Sequence, residues 1–241
     1  MKNLILPVLL LVLILPAIAQ EDANAILAKM DQIMFSPKDK SGTLTMILIE
    51  KDGSEKVREA AMYQKGPDKK LYRYTKPESQ AGIASLSLPG DVMWMYMPAF
   101  AQPKKISLLS RSQAFTGTDF SYEDMATTPY CDRFTPTIQS TGANDYVLDL
   151  IPKSGKSRYS KIILRVDKTH GYPIWMKFYN EQGRMFKEAT YTYEKIGKYW
   201  NAAEVVMKDI EKNHSTKIRL TDIKFDQGLS DDIFKVENLK Q

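Results

Sequence analysis

One cysteine, Cys131, and two histidines, His170 and His214, are all that the 241 residues offer of the side chains that dominate metal sites and thiol or serine nucleophile pairs. A single cysteine excludes a disulfide within the chain, so the fold has to hold by packing. Cys131 sits in Thr128-Pro129-Tyr130-Cys131-Asp132 with no histidine nearby. That is the setting of a buried, inert thiol, with a reactive thiol or an intermolecular bridge as the alternative. The histidines lie far apart in polar, turn-like contexts and read as surface residues. Also missing are a G-x-S-x-G elbow, a phosphate-cradling glycine loop, a dinucleotide fingerprint and an H-E-x-x-H pair. These absences point away from an enzyme, and neither a metal nor a cofactor is expected. A strong excess of one charge sign is missing too. Lys and Arg number 34 against 29 Asp and Glu, a formal net charge of +5. Mild, dispersed charge lacks the footprint of a nucleic-acid binder.

A long apolar run occurs once, at the start. Lys2 precedes the apolar stretch Leu4 to Leu15, and Ala17-Ile18-Ala19 is a small-x-small cleavage site. This pattern predicts a signal peptide over 1–19, removed after Ala19. The run is short for a membrane span, and no cysteine follows the cleavage site to carry a lipid anchor. The mature chain, 20–241, has the length of one domain with room for a sizeable core or cavity. An exported chain without disulfides suits a bacterial periplasm, and a monomer is expected.

What the chain does contain is one helix and many strands. Asp22 to Met34 places Ile26, Leu27, Met30, Ile33 and Met34 on one helical face, and Ser36-Pro37 ends it. The period then changes to two. Leu44, Met46 and Leu48 share a strand face, Asp52-Gly53 marks a hairpin, and strands follow at about 56–64, 71–74 and 83–88. Thr135 to Asn144 reads as polar connection. From Asp145 the pattern is a β-meander with strands at 146–150, 159–167, 172–178, 184–194, 201–211 and 216–225. The last breaks its alternation near Asp222, which predicts a bulge. Ser230 caps a short closing helix. About eleven antiparallel strands in one domain predict a mainly β fold, a strongly curved sheet or barrel.

The stretch Asp91 to Met125 is the most distinctive. Val92, Trp94 and Tyr96 alternate with Met93, Met95 and Met97, so both faces of this strand are apolar. Either both faces are covered by core, or one stripe lines a ligand space. Methionine suits the latter because it is unbranched and polarisable and repacks around variable shapes. Lys104 and Lys105 form a short basic strand with Ile106, and Arg111 follows. Gly117 turns the chain into Asp119, whose carboxylate is expected to bond local amides as an Asx turn, or else to fix Arg111 or a lysine. Ser121 and Asp124 match a capping box for a helix over about 121–127, ended by Pro129. Glu123 and Asp124 point about 100° apart on that helix and do not form a catalytic pair.

The signal peptide, Asp91-Val92-Met93-Trp94-Met95-Tyr96-Met97-Pro98, Lys104-Lys105-Ile106, and the block Phe115 to Asp124 together resemble the LolA-like family. The narrower match is to its branch of outer membrane lipoprotein-sorting proteins. The resemblance implies an unclosed, strongly curved antiparallel β-barrel, with helices covering an apolar concave side that receives acyl chains. It implies a non-enzymatic periplasmic carrier of lipoprotein or lipid cargo, taken from an inner-membrane exporter towards an outer-membrane acceptor. Met93, Met95 and Met97, or else Val92, Trp94 and Tyr96, would then line the pocket. Ile26, Leu27 and Met30 would pack a lid, and Lys104, Lys105 and Arg111 would meet headgroups or partners. A sensing module that binds such cargo without delivering it is the alternative, and an enzyme acting on lipid the third.

Overall fold

The structure, a computed structural model, describes residues 21–107, 110, 113–155 and 157–240. The signal segment and Arg111 lie outside the described residues. Helix α1 (Ala23–Met34) opens the described chain, capped by Asp22, which accepts from the Asn24 N–H. Five full strands follow in antiparallel succession: β1 (Asp39–Ile49), β2 (Glu55–Lys65), β3 (Lys69–Lys76), β4 (Ala84–Leu88) and β5 (Val92–Tyr96). A two-residue β6 (Lys104–Lys105) borders β5. Two four-residue helices, α2 (Tyr122–Met125) and α3 (Tyr130–Arg133), lead into the meander. Its strands are β7 (Phe134–Thr141), β8 (Asp145–Pro152), β9 (Lys161–Asp167), β10 (Pro173–Tyr179), β11 (Met185–Ile196), β12 (Tyr199–Asp209) and β13 (His214–Phe225).

All thirteen strands belong to one sheet, ordered β6-β5-β4-β3-β2-β1-β13-β12-β11-β10-β9-β8-β7. The first and last strands of that order do not pair, so the sheet is open. β1 and β13 join the two halves in register from Lys40–Phe225 to Ile49–Ser215. The expected bulge is present where Ser41 faces Lys224 but Thr43 faces Thr221, and Asp222 there takes a left-handed φ of 54°. Gly42 fills this crowded point. A Cβ on it would meet Ile223 Cδ1 at 2.4 Å and the Thr221 carbonyl at 2.8 Å.

Strand alternation and curvature together make the core. Leu44, Met46 and Leu48 of β1, Met93 and Met95 of β5, Leu148 and Leu150 of β8 and Phe178 of β10 are buried in one cluster. Strands so distant in the sheet order share a core only if the sheet curls around it. A second, smaller cluster lies on the convex side. There Leu71, Ala84 and Leu86 meet Phe234 and Leu239 of the C-terminal turns, with Trp94 and Tyr96 packed against them. Arg73 fastens this covering by donating to the carbonyls of Asn238 and Leu239, both at 2.9 Å.

Three expectations need correction. The sheet has thirteen strands, and the additional one, β7, occupies the supposed polar connection 135–144. Its alternation is real but thin: Phe134 and Pro136 are buried while Thr135 and Thr137 are exposed. As an edge strand it tolerates a proline, whose missing N–H would break an interior ladder. The helix expected over 121–127 stops at Met125, because Ala126 turns to extended backbone before Pro129 is reached. Cys131, expected to be buried, is half-buried, and its thiol is displaced from the ordinary range. Burial, with Asp31 and Asp132 adding, pushes it up to about 11.

Candidate functional site

The site begins with α1. Leu27 and Met30 are fully buried in the core and Ile26 packs against it, so the predicted apolar face does seat the helix on the sheet. Its last turn does something different. Ile33, Met34 and Phe35 line a partly open cavity of about 180 Å³. The helix ends at Phe35, whose N–H still reaches the Asp31 carbonyl at 3.0 Å.

The opposite wall is the segment from α2 to α3. Ser121 and Asp124 form the predicted capping box, and Asp124 also accepts from Tyr159 Oη at 2.7 Å. α3 has no capping side chain of its own, since Pro129 precedes it. The buried carboxylate of Asp31 on α1 takes that role. It accepts from the N–H groups of Tyr130 at 3.0 Å and Cys131 at 2.8 Å. The two helices thus act as one cover, fixed by bonds that an apolar contact alone would not orient.

The sheet supplies the floor. Leu44, Met62 and Tyr72 come from one half, and Tyr191, Tyr193, Val205, Ile218 and Leu220 from the other. The methionines that border the cavity are therefore Met34, Met62 and Met125. Met93 and Met95 point to the same concave side but are buried in core packing, with Met97 partly buried beside them. Trp94 and Tyr96 point to the convex side under the C-terminal turns. Val92 is half-buried at the start of the strand. Of the six residues in this stretch, none borders the cavity. Lys104 and Lys105 are exposed at the open edge, where Lys104 Nζ lies 4.4 Å from the ring centroid of exposed Phe100.

The cavity is apolar but not neutral. Lys40, Gln64, Lys70, Arg133 and Asp124 also border it. Burial lowers Lys40 to about 8 and Lys70 to about 7. Arg133 lies over the rings of Tyr130 and Phe134, at 4.6 and 5.2 Å. Its Nε and the Tyr193 hydroxyl are buried without a hydrogen-bond partner. A surface cleft of about 560 Å³ adjoins the cavity and shares Ala126, Thr128 and Arg133 with it. Polar turns such as Asp68, Asp91, Lys153 and Ser154 rim the cleft. The smaller cavity is lined by more apolar residues, and the cleft opens beside it.

Sequence reasoning missed Lys40, Lys70 and Arg133. A signal existed, because Lys40 has the parity of Leu44, Met46 and Leu48 on its strand and so points inward with them. Two other expectations are overturned. Asp119 makes no Asx turn: its carboxylate accepts from Thr216 Oγ1 at 2.7 Å and pairs with His214 Nδ1 at 2.6 Å. The lysine nearby, Lys187, donates to the Asp119 carbonyl instead. His214 is accordingly no surface residue. Its side chain is 15% exposed and lies between Asp119 and Glu50, the latter at 3.4 Å. His170 is half-buried and stacks on Tyr172. Glu123 and Asp124 diverge as expected. Glu123 turns to Ser157 and the Arg158 N–H, with its carboxyl raised by burial. Among the described residues, no three His, Cys, Asp or Glu side chains group as metal ligands. Nor is any helix long and apolar enough to cross a membrane.

A family model described as "Uncharacterized protein" matches residues 66–241. No curated protein matches the chain. Among solved structures, a putative outer membrane lipoprotein-sorting protein domain from Vibrio parahaemolyticus superposes with a TM-score of 0.83 at 26% identity. That match covers 91% of this chain and 98% of the other. A DUF1329 family protein from Desulfovibrio piger gives 0.83 at 24% identity, covering 90% and 97%. A LolA superfamily protein from Nitrosomonas europaea gives 0.75 at 24% identity, covering 90% and 98%. At that identity the latter two speak for the fold. The chain belongs to the family of the matching model and has the LolA-like fold, an open curved sheet, that it shares with these structures.

Proposed function

We propose that this protein is a non-enzymatic periplasmic carrier. It binds acyl chains of lipoproteins or other lipids beneath α1 and moves them towards the outer membrane. One observation carries the reading: an apolar, methionine- and aromatic-lined cavity lies inside an open sheet, covered by two helices that are bonded to each other. An acyl chain in water costs about 0.8 kcal/mol for each exposed CH₂, so transfer requires enclosure. Release requires that the enclosure open. Residues of the wall Ala126 to Arg133 border both cavity and cleft, and displacing this wall with α1 would join the two spaces. The relative from Vibrio parahaemolyticus, described as lipoprotein-sorting, supports the same class of cargo. The exposed edge of Phe100, Lys104 and Lys105 suits contact with an anionic membrane surface or an exporter.

Native mass spectrometry of the mature protein from a periplasmic extract, followed by a vesicle-to-vesicle transfer assay, tests this. A carrier co-purifies with lipid or lipidated protein and accelerates transfer. Binding without transfer would favour the sensing alternative. Absence of both cargo and displacement of a hydrophobic dye by fatty acids would count against any lipid role.

A further inference from the structure

The cations of the cavity are arranged, not scattered. Lys40 on β1 is in register with Gln64 on β2, and Gln64 with Lys70 on β3. All three share the parity of the buried concave residues of their strands, Leu44, Met62 and Tyr72. They therefore form one row across three strands on the cavity side, the two lysines about 10 Å apart at two strand spacings. Across from them stands Arg133 on α3. Two residues further along the strands the same face is Met62 and Tyr72, so a charged row gives way to an apolar one.

Among the described residues, no carboxylate pairs with the two lysines of this row, and Lys70 has only the Tyr72 ring at 5.9 Å. The one carboxylate bordering the cavity, Asp124, is taken up by Ser121 and Tyr159. Arg133 pairs with Glu123 at 3.9 Å and donates to its carbonyl at 3.4 Å, both through Nη1, which leaves Nε without a partner. Half-buried cations without counter-charge are costly unless a ligand pairs them. Arg133 Nε, buried and unpartnered, is a donor suited to a carboxylate or phosphate oxygen.

We infer that Lys40, Lys70 and Arg133 form a site for the anionic headgroup of an amphiphile, a carboxylate or phosphate, whose chain lies on Leu44 and Met62. This rests on the reading of the cavity as a lipid site and narrows it: the preferred cargo is an acidic lipid, not a neutral one.

The test is displacement of the uncharged dye N-phenyl-1-naphthylamine from the mature protein. The competitors are palmitate, palmitoyl lysophosphatidate, monopalmitoylglycerol and hexadecyltrimethylammonium. Both anions are expected to displace dye at concentrations at least 10-fold below the neutral and cationic amphiphiles, and whichever is tighter identifies the headgroup. In the Lys40→Met/Lys70→Met variant the preference disappears while monopalmitoylglycerol binds as before. Lys40→Gln serves if the double variant does not fold, and is expected to lose part of the preference. Lys104→Gln/Lys105→Gln retains it in full. Equal displacement by all amphiphiles overturns the headgroup site alone, as does a preference that survives loss of both lysines or vanishes with Lys104 and Lys105. Displacement by none overturns the carrier reading itself.

Discussion

Asp119 carries a load that its neighbourhood in the sequence does not announce. It lies in the loop between β6 and α2, yet its carboxylate bonds Thr216 and His214 on β13, almost a hundred residues later. Thr216 is fully buried and Asp119 nearly so. Asp119→Ala would leave both partners without their acceptor, and a loss of about 2–4 kcal/mol of stability is expected. Urea unfolding should show a lower midpoint with an unchanged slope; an unaltered midpoint would mean that the contact is dispensable. Cys131 offers a second residue-scale prediction. With its thiol pushed up to about 11, the thiolate fraction at neutral pH is small, and thiolate is the reactive form. Alkylation by iodoacetamide at pH 7.5 should run at least 10-fold slower in the native protein than in urea. The contrast between Asp119 and Ser121 shows what a sequence discloses at this scale. The Ser121–Asp124 capping box closes within four residues and was legible. The Asp119 contacts depend on chain that returns from far away, and the histidine that receives them looked like surface for the same reason.

Among elements, α1 and α3 together cover the cavity and are its proposed gate. α3 has one turn, too short to persist alone, and its first N–H groups depend on Asp31. Asp31→Asn keeps the shape but leaves one acceptor oxygen for two N–H groups, and sets an NH₂ donor against the other. A loss of about 1–2 kcal/mol is expected, with faster uptake of a hydrophobic dye in stopped flow and faster alkylation of Cys131. Uptake unchanged in a destabilised variant would show that α1 and α3 do not move as the gate. Strand elements were largely readable because alternation survives wherever one face is buried, as in Ile162, Leu164 and Val166. β7 was not, because an edge strand beside few apolar neighbours can be built from threonines and a proline. The stripe Val92 to Met97 was legible as a strand with two apolar faces but not as to what covers each. That depended on the C-terminal turns returning to Trp94 and Tyr96, a tertiary fact with no local sign.

At the scale of the whole molecule, an open sheet that curls around a core leaves an interior which neither half closes. The row of Lys40, Gln64 and Lys70 exists only because three strands pair in one register, so spacing along the chain could not display it. The same row sets a pH dependence for the ligand-free protein. Lys40 and Lys70 titrate near 8 and 7 when folded, against about 10.4 for an unfolded lysine. Between those values the unfolded chain binds more protons, and stability rises with pH wherever that holds. Below pH 7 both lysines are charged in both states and the full cost of burying charge is present. Above about 8 the folded lysines are neutral and that cost is relieved. Other groups oppose this at higher pH. The Cys131 thiol and the buried tyrosines Tyr159, Tyr191 and Tyr193 are raised by burial, so they lose stability as their unfolded forms ionise. The useful window is therefore pH 7 to 8.5, where the unfolded cysteine, at about 8.5, only begins to oppose the lysines. There the urea midpoint of the ligand-free protein should rise by the equivalent of about 2 kcal/mol. Lys40→Met/Lys70→Met should be more stable than the parent at pH 7 and flat across the window. Saturating palmitate should flatten or reverse the parent's slope, because a bound anion stabilises the protonated lysines and keeps them charged to higher pH. A parent protein whose stability falls from pH 7 to 8.5 while the double variant's does the same would show that the lysines are solvated, and that the cavity does not store the cost of their charge.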